Sequence, residues 1–287
     1  DENDLAKAAE YAKDVIDNSG KKLMTNYEDL FKGENNNCDE SLIGWRWTSE
    51  QLNYTCGNCL TSELAPAGFC EYQSWGDWTA PSVDLEDAFG VSPLDNPKSR
   101  AKSDTRRKAT MMMADDEYDY WWTDKGGFKY LKFLYDKTYA PGSNDGLQSG
   151  TGANIAKHLY GDDADHVKTF GISAGKQSSS LSTHVLRLAD VYLIYAEAKI
   201  GNNESTTDAS AIDAFYQVWH RARPTDFEKP SSITLDQVLK ERRLEFAFEG
   251  DYWFDLVRMS YYNVDKAMNI IKNQRRNCYY GLGDLYK

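Results

Sequence analysis

No stretch of this 287-residue sequence is apolar for long enough to cross a bilayer, which excludes a transmembrane helix. Basic clusters are missing too. Against 45 Asp and Glu stand 33 Lys and Arg, for a formal charge of −12, and the basic residues gather only in pairs such as Arg106-Arg107 and Arg275-Arg276. A surface that tracks nucleic-acid phosphates is excluded, and polyanionic ligands would be repelled. The four histidines, His158, His166, His184 and His220, lie far apart without metal-ligand spacing. Glycine-rich phosphate loops, dinucleotide fingerprints and the nucleophile elbow of serine hydrolases are absent, so no cofactor is expected. Asp115-Asp-Glu117 and Asp162-Asp-Ala-Asp165 could grip calcium, but neither continues as an EF-hand loop and both read as solvated acidic loops. Acidic Asp1-Glu-Asn-Asp4 leads straight into a helix and does not have the form of a secretory signal.

Of five cysteines, Cys38, Cys56, Cys59 and Cys70 fall within 33 residues and Cys278 stands apart. Disulfides tying down a surface loop are the leading expectation, then a zinc knuckle, then a redox Cys-x-x-Cys, with Cys278 left unpaired. Aromatics are abundant, with 8 Trp and 19 Tyr. Such amphipathic rings serve surfaces that stack on a ligand, or fill gaps in a loop-rich fold, and composition leaves both open.

Helical spacing is clear at both ends. Leu5, Ala8, Ala9, Ala12, Val15 and Ile16 mark an opening helix stopped by Asn18-Ser-Gly20. Leu188, Val191, Tyr195 and Ala198 mark a helix running to Gly201. Ala211, Ala214, Phe215, Val218 and Ala222 mark the next, closed by Pro224. Thr234-Leu-Asp-Gln237 is a capping box opening a third, with Gly250 placed just past its end, and a short amphipathic helix follows Asn263. From about 32 to 175 periodicity fails, apart from a helical turn at Asp84–Phe89 and an extended stretch at Gly127–Tyr135. The Gly/Ser-rich segments 141–152 and 171–182 read as loops. Loops this extensive usually serve binding or partner contact.

Four blocks near the C-terminus stand out: Arg187-Leu-Ala-Asp190, Tyr195-Ala-Glu-Ala198, Glu241-Arg-Arg243 and Glu249-Gly-Asp-Tyr-Trp-Phe-Asp-Leu-Val-Arg258. In order and spacing they resemble the signature of the SusD/RagB family. Asn26-Tyr-Glu-Asp-Leu-Phe31 and Asp87-Ala-Phe89 resemble further family segments, and 128–133 a weaker one. Ser103-Asp-Thr-Arg106 matches a fourth only in part, Thr105 standing for its proline. The resemblance implies a mainly α, SusD-like fold of tetratricopeptide-like helix pairs with a long irregular half. It reads as a single domain, 1–287, with a repeat helix at 1–31, an irregular ligand-binding half at 32–180, and C-terminal repeat helices with the signature at 181–287. It also implies a Bacteroidetes lipoprotein on the cell-surface face of the outer membrane. Such a protein captures a glycan without cleaving it and delivers it to a SusC-like TonB-dependent transporter. Contact with the membrane would come only through a lipid anchor that these residues do not contain. Peptide capture, as in RagB-like relatives, is the alternative within the family, and a purely structural clamp on the transporter is a non-binding one. Family members are nearly twice as long, so the chain reads as starting mid-family. A partial repeat stack would leave apolar faces open for the remaining part or for a second copy.

Glu241, Glu245 and Glu249 recur at four-residue spacing, and like charges at that spacing repel. A glycoside hydrolase could use such neighbouring carboxylates. The favoured account is structural: Arg187, Arg242, Arg243 and Arg258 fork between these glutamates and Asp190 or Asp255, amid Trp253, Phe254, Leu256 and Val257. Sugars offer flat C–H faces rimmed by hydroxyls, so a binding platform should interleave aromatics with short polar residues in an exposed loop. Tyr72-Gln73-Ser-Trp75-Gly-Asp77-Trp78 fits best, with Gly76 allowing both indoles to be exposed. Trp45-Arg-Trp47 with Tyr54, and Tyr120-Trp-Trp122, are second choices. Trp45 and Trp47 alternate like a strand with one buried face, and one of Trp121 and Trp122 is expected in the core.

Overall fold

The computed structural model describes residues 2–49, 57–70, 74, 76, 79–100, 104–143, 146–225 and 228–279. Helix α1 (Glu2–Asn18) carries the expected apolar stripe and ends ahead of Gly20, whose φ is +68°. The irregular half is built from short pieces. These are α2 (Leu60–Leu64), α3 (Val83–Phe89), α4 (Arg106–Thr110), α5 (Tyr130–Tyr135) and α6 (Asp163–Phe170), with strands β1 (Ser41–Trp45), β2 (Met111–Met112), β3 (Glu117–Tyr118), β4 (Phe128–Lys129), β5 (Asn154–Ile155) and β6 (Thr183–Arg187). β1 pairs antiparallel with β6, β2 with β5 and β3 with β4. The extended stretch expected over Gly127–Tyr135 is confined to β4. From Tyr130 the chain turns helical, because Tyr130, Phe133 and Leu134 then fall together on the buried side of one helical turn.

α7 (Leu188–Ile200) follows β6 directly. After it come β7 (Ser205–Thr206), α8 (Ala209–Ala222), β8 (Ile233–Thr234), α9 (Leu235–Glu245), α10 (Asp251–Tyr262) and α11 (Val264–Asn273). α7 lies against both α1 and α8. Ala189, Ala196 and Ala211 keep those backbones close, while Leu193, Ile200, Phe215 and Val218 fill the space between. The capping box opens α9 as expected: Thr234 Oγ1 accepts from Gln237 N at 3.1 Å, and Gln237 Oε1 accepts from Thr234 N at 2.8 Å. Its end differs from expectation. α9 stops at Glu245, Phe248 takes a left-handed φ of +64°, and Gly250 (φ +102°) caps the start of α10 instead of the end of α9. Glu249 thus sits in a turn, not on the helix that carries Glu241 and Glu245.

The aromatic surplus has a packing explanation in the irregular half. Phe69, Tyr118, Trp121, Trp122, Phe128, Tyr130 and Phe133 form one buried cluster. Phe69 meets Phe128 edge-on with centroids 5.0 Å apart, and Tyr118 stacks on Trp121 at 4.5 Å. Elements of two to eight residues cannot build long interdigitating seams, so wide rings bridge the gaps between them.

Two expectations about particular residues fail. Trp253 and Phe254 do not wrap the charge cluster; they are 60% and 69% exposed, and of their group only Leu256 is fully buried. No disulfide engages Cys38 or Cys59, whose thiols are free, while Cys278 is free as expected. Cys38 is buried against Tyr27, Leu30 and Phe31, and burial raises its pKa. Cys56 lies outside the described residues.

α3 holds a buried acid. Glu86 is fully buried, neither carboxylate oxygen has a hydrogen-bond partner, and burial pushes it up to about 8. Its neighbours clamp the helix: Asp84 pairs with Arg243 of α9, and Asp87 with Arg275 after α11 at 2.7 Å.

Candidate functional site

Two groups of side chains compete as the site. The first is the carboxylate cluster, which the fold completes from distant parts of the chain. Arg187, the last residue of β6, is 1% exposed. Its guanidinium meets Glu40 at 2.6 Å, Glu245 at 2.9 Å and Glu249 at 2.8 Å. Arg106 at the start of α4 bridges Glu241 (2.8 Å) and Glu245 (3.1 Å), and Arg223 bridges Glu241 (3.1 Å) and Asp104 (2.9 Å). Arg221 reaches Glu40 at 2.7 Å and also pairs with Glu245. Buried Lys157 donates to Glu249 at 2.9 Å and to the Tyr27 hydroxyl at 2.6 Å. Of the four arginines expected here, only Arg187 joins the glutamates. Arg242 pairs with Asp190 and Asp255, Arg243 with Asp84, and Arg258 with Glu197 and Asp255.

Burial alone would raise the carboxyl pKa values. The guanidinium groups of Arg221, Arg187 and Arg106 reverse this and hold Glu245 at about 2. Arg187 and Lys157 hold Glu249 well below the usual carboxylate range. A glycosidase acid needs the opposite shift, so that it keeps a proton to donate near neutral pH. Glu245 and Glu249 are ionised, saturated with donors and sealed from solvent. Glu40, Arg106, Arg221, Arg223 and Lys157 were not assigned to this cluster from sequence; only the partial match around Arg106 hinted at one of them.

The second group is aromatic. Trp45 ends β1 and is 61% exposed. Half-buried Trp47 meets it edge-on, with centroids 6.2 Å apart and planes at 85°. Trp47 Nε1 donates to Thr183 Oγ1 at 3.1 Å, and Thr183 is the residue paired with Trp45 across β1 and β6. One indole is thereby fixed while the other offers a face to solvent. Tyr72, Gln73, Trp75, Asp77 and Trp78, like Tyr54, lie outside the described residues. Gly76 itself is buried: its N–H donates to Ala65 O at 2.8 Å, and a Cβ there would come within 2.0 Å of Leu64 O. The glycine is required by that close backbone approach to the end of α2. Trp122 is 2% exposed, donates from Nε1 to Phe69 O at 3.0 Å and lies under Lys125 Nζ at 3.9 Å. Trp121 is buried beside it, so both rings belong to the core and neither keeps a face for stacking.

The acidic loops are taken up internally. Asp116 pairs with Arg107, Glu117 meets Lys129 at 3.2 Å, and Asp165 accepts from Trp122 N and from both Thr123 N and Oγ1. Among the described residues no group of His, Cys, Asp or Glu is arranged to hold a metal ion. A groove of about 730 Å³, lined in part by Asn26, Glu28, Asp104, Lys108, Asp115 and Arg221, opens beside the ion network.

A family model described as the SusD family matches residues 16–286. The chain belongs to the SusD family. A SusD-like protein of Bacteroides ovatus is 37% identical over 280 residues, which cover 96% of this chain and 44% of the relative. A crystal structure solved with a xylogluco-oligosaccharide is 35% identical, with a TM-score of 0.76 over 96% of this chain and 49% of that one. The surface glycan-binding protein A of Bacteroides thetaiotaomicron, solved with laminarihexaose, has a TM-score of 0.65 at 19% identity and shares the fold. The chain spans about half the length of the relatives it matches. Its helix-rich architecture is the SusD-like one.

Proposed function

We propose that this SusD-family protein captures oligosaccharide or polysaccharide without cleaving it, on the cell-surface face of the outer membrane. It then passes the glycan to a SusC-like TonB-dependent transporter. The reading treats residues 1–287 as one unit whose irregular half carries the ligand. Trp45 carries it: an indole face open to solvent, fixed by a strand pair and braced by Trp47, suits the C–H face of a sugar ring. Support comes from the relative solved with a xylogluco-oligosaccharide. The non-catalytic reading is supported by the buried, ion-paired side chains and low pKa of Glu245 and Glu249. Trp75, Trp78, Tyr72, Asp77 and Gln73 remain candidates to extend the platform, with Trp47 as its brace.

The test is a panel of neutral polysaccharides in affinity gels and calorimetry, with cleavage assayed in parallel. The unsubstituted protein is compared with Trp45→Ala/Trp47→Ala and Trp75→Ala/Trp78→Ala. Retardation that vanishes in either variant while the glycan stays uncut supports capture at that platform. Cleavage overturns the non-catalytic reading, and indifference to every glycan moves the ligand class to peptides.

A further inference from the structure

The support behind Trp45 extends one residue beyond Trp47 and Thr183. Thr183 Oγ1, which accepts from Trp47 Nε1, accepts a second hydrogen bond from Asn58 Nδ2 at 3.2 Å. Asn58 is 3% exposed and lies 125 residues from Thr183 in sequence. Its amide also donates to Leu181 O at 2.9 Å, and its Oδ1 accepts from Leu60 N at 3.0 Å. A carbonyl only accepts and a backbone N–H only donates, so this amide has a single orientation and all of its polar atoms are used. Aspartate would turn an acceptor toward the Leu181 carbonyl, and an apolar side chain would leave these partners unmet. The backbone leading into β6 has other anchors. Ser179 N donates to Asn58 O and Asn58 N to Ser179 O, both at 2.9 Å. Ser180 N donates to His166 Nε2 at 3.0 Å, and Ser182 N to Asn36 Oδ1 at 2.9 Å. Beyond its contact with Leu181, the Asn58 amide therefore contributes one thing: a second donor on the hydroxyl that holds Trp47.

We propose that Asn58 is a positioning residue for the aromatic platform: through the Thr183 hydroxyl it sets the orientation of Trp47, and through Trp47 the edge-on seat of Trp45. The proposal rests on the reading of Trp45 as the glycan surface. Two donors on one hydroxyl oxygen engage both of its lone pairs, which fixes the direction from which the Trp47 N–H must approach. An indole whose N–H is held cannot swing about its side-chain torsions, and the Trp47 ring then stays at 85° to Trp45 with centroids 6.2 Å apart. With the Asn58 donor gone, the hydroxyl is free to turn and the brace can tilt. The ring that meets the sugar then loses its fixed seat. Asn58 acts at one remove, as the supporting residues of a preorganised site do.

The experiment is a double-mutant cycle of Asn58→Ala and Thr183→Val in the 287-residue chain, each made singly and together. Thr183→Val keeps the branched shape and leaves the Leu181 contact of Asn58 in place. Two readouts are taken. The exciton signal of the paired indoles in far-ultraviolet circular dichroism, assigned by its loss in Trp45→Ala, requires no ligand. Calorimetry with a xylogluco-oligosaccharide reads affinity. Each single substitution should weaken the exciton signal and lower affinity about tenfold, and the double variant should lose no more than either alone, because both cut the same relay. Additive losses would give Asn58 a structural role through Leu181 and overturn the proposal, as would an exciton signal indifferent to Asn58→Ala. Should Asn58→Ala fail to fold, Thr183→Val decides: a signal and affinity equal to those of the unsubstituted chain overturn the relay. An unsubstituted chain that ignores the oligosaccharide counts against the glycan reading alone, and the exciton cycle still decides the role of Asn58.

Discussion

Glu86→Gln should change how the stability of this protein depends on pH. Glu86 is sealed inside α3 without a hydrogen-bond donor, and its pKa is raised from 4.5 to about 8. Between those values the folded chain keeps the proton and the unfolded chain releases it. Stability is fully present below about pH 4.5 and falls as pH rises toward 8. The slope for one such group is about 1.4 kcal/mol per pH unit. Between about pH 5.5 and pH 7.5 the carboxyl alone should therefore remove on the order of 3 kcal/mol. Glutamine has the same shape and does not titrate. Urea unfolding of both proteins across that range isolates the effect, since every other titrating group cancels in the difference. The glutamine variant should gain on the parent steadily as pH rises. A difference that stays flat with pH would refute the claim that Glu86 is buried as the neutral acid.

Four further outcomes are expected. Arg187→Ala leaves Glu40, Glu245 and Glu249 without their shared guanidinium and should cost about 3–5 kcal/mol in urea unfolding. Gly76→Ala drives a methyl group into the Leu64 carbonyl and should cost about 1–3 kcal/mol, read as a lowered Tm. Thr234→Ala removes one half of the capping box and should cost about 1 kcal/mol by the same measurement. Trp45→Ala should leave Tm unchanged but weaken calorimetric glycan binding by about 2 kcal/mol, roughly thirtyfold in Kd.

The helical ends of the chain were readable because their packing is periodic: the stripe of α1, the faces of α7 and α8, and the cap of α9 all repeat at helical spacing or sit at fixed offsets. The ion network was readable only from one side. Glutamates four apart signal a need for compensation, but Glu40 meets Arg187 across 147 residues and Arg106 meets Glu245 across 139. Separations of that size leave no local pattern. Trp253 and Phe254 misled for a related reason. Periodicity shows that a helix has an apolar face, not that something covers it. Trp122 reads as a ligand candidate because it belongs to a run of adjacent aromatics, and nothing in that run reveals that its ring is buried and tied to the Phe69 carbonyl.

The pairing of β1 with β6 joins the two halves of this account. Trp45 stands opposite Thr183 at one end, and Ser41 opposite Arg187 at the other. The exposed indole is thus the far tip of a ribbon whose root is bolted into the ion network, about 13 Å away at the usual rise per residue. Under the proposed function, a sugar landing on that ring would meet a surface already held in place, and little of the roughly 0.5–1.5 kcal/mol charged for freezing a free side chain would be lost on contact. A charge cluster without chemistry of its own can in this way govern how firmly a distant surface holds what it catches.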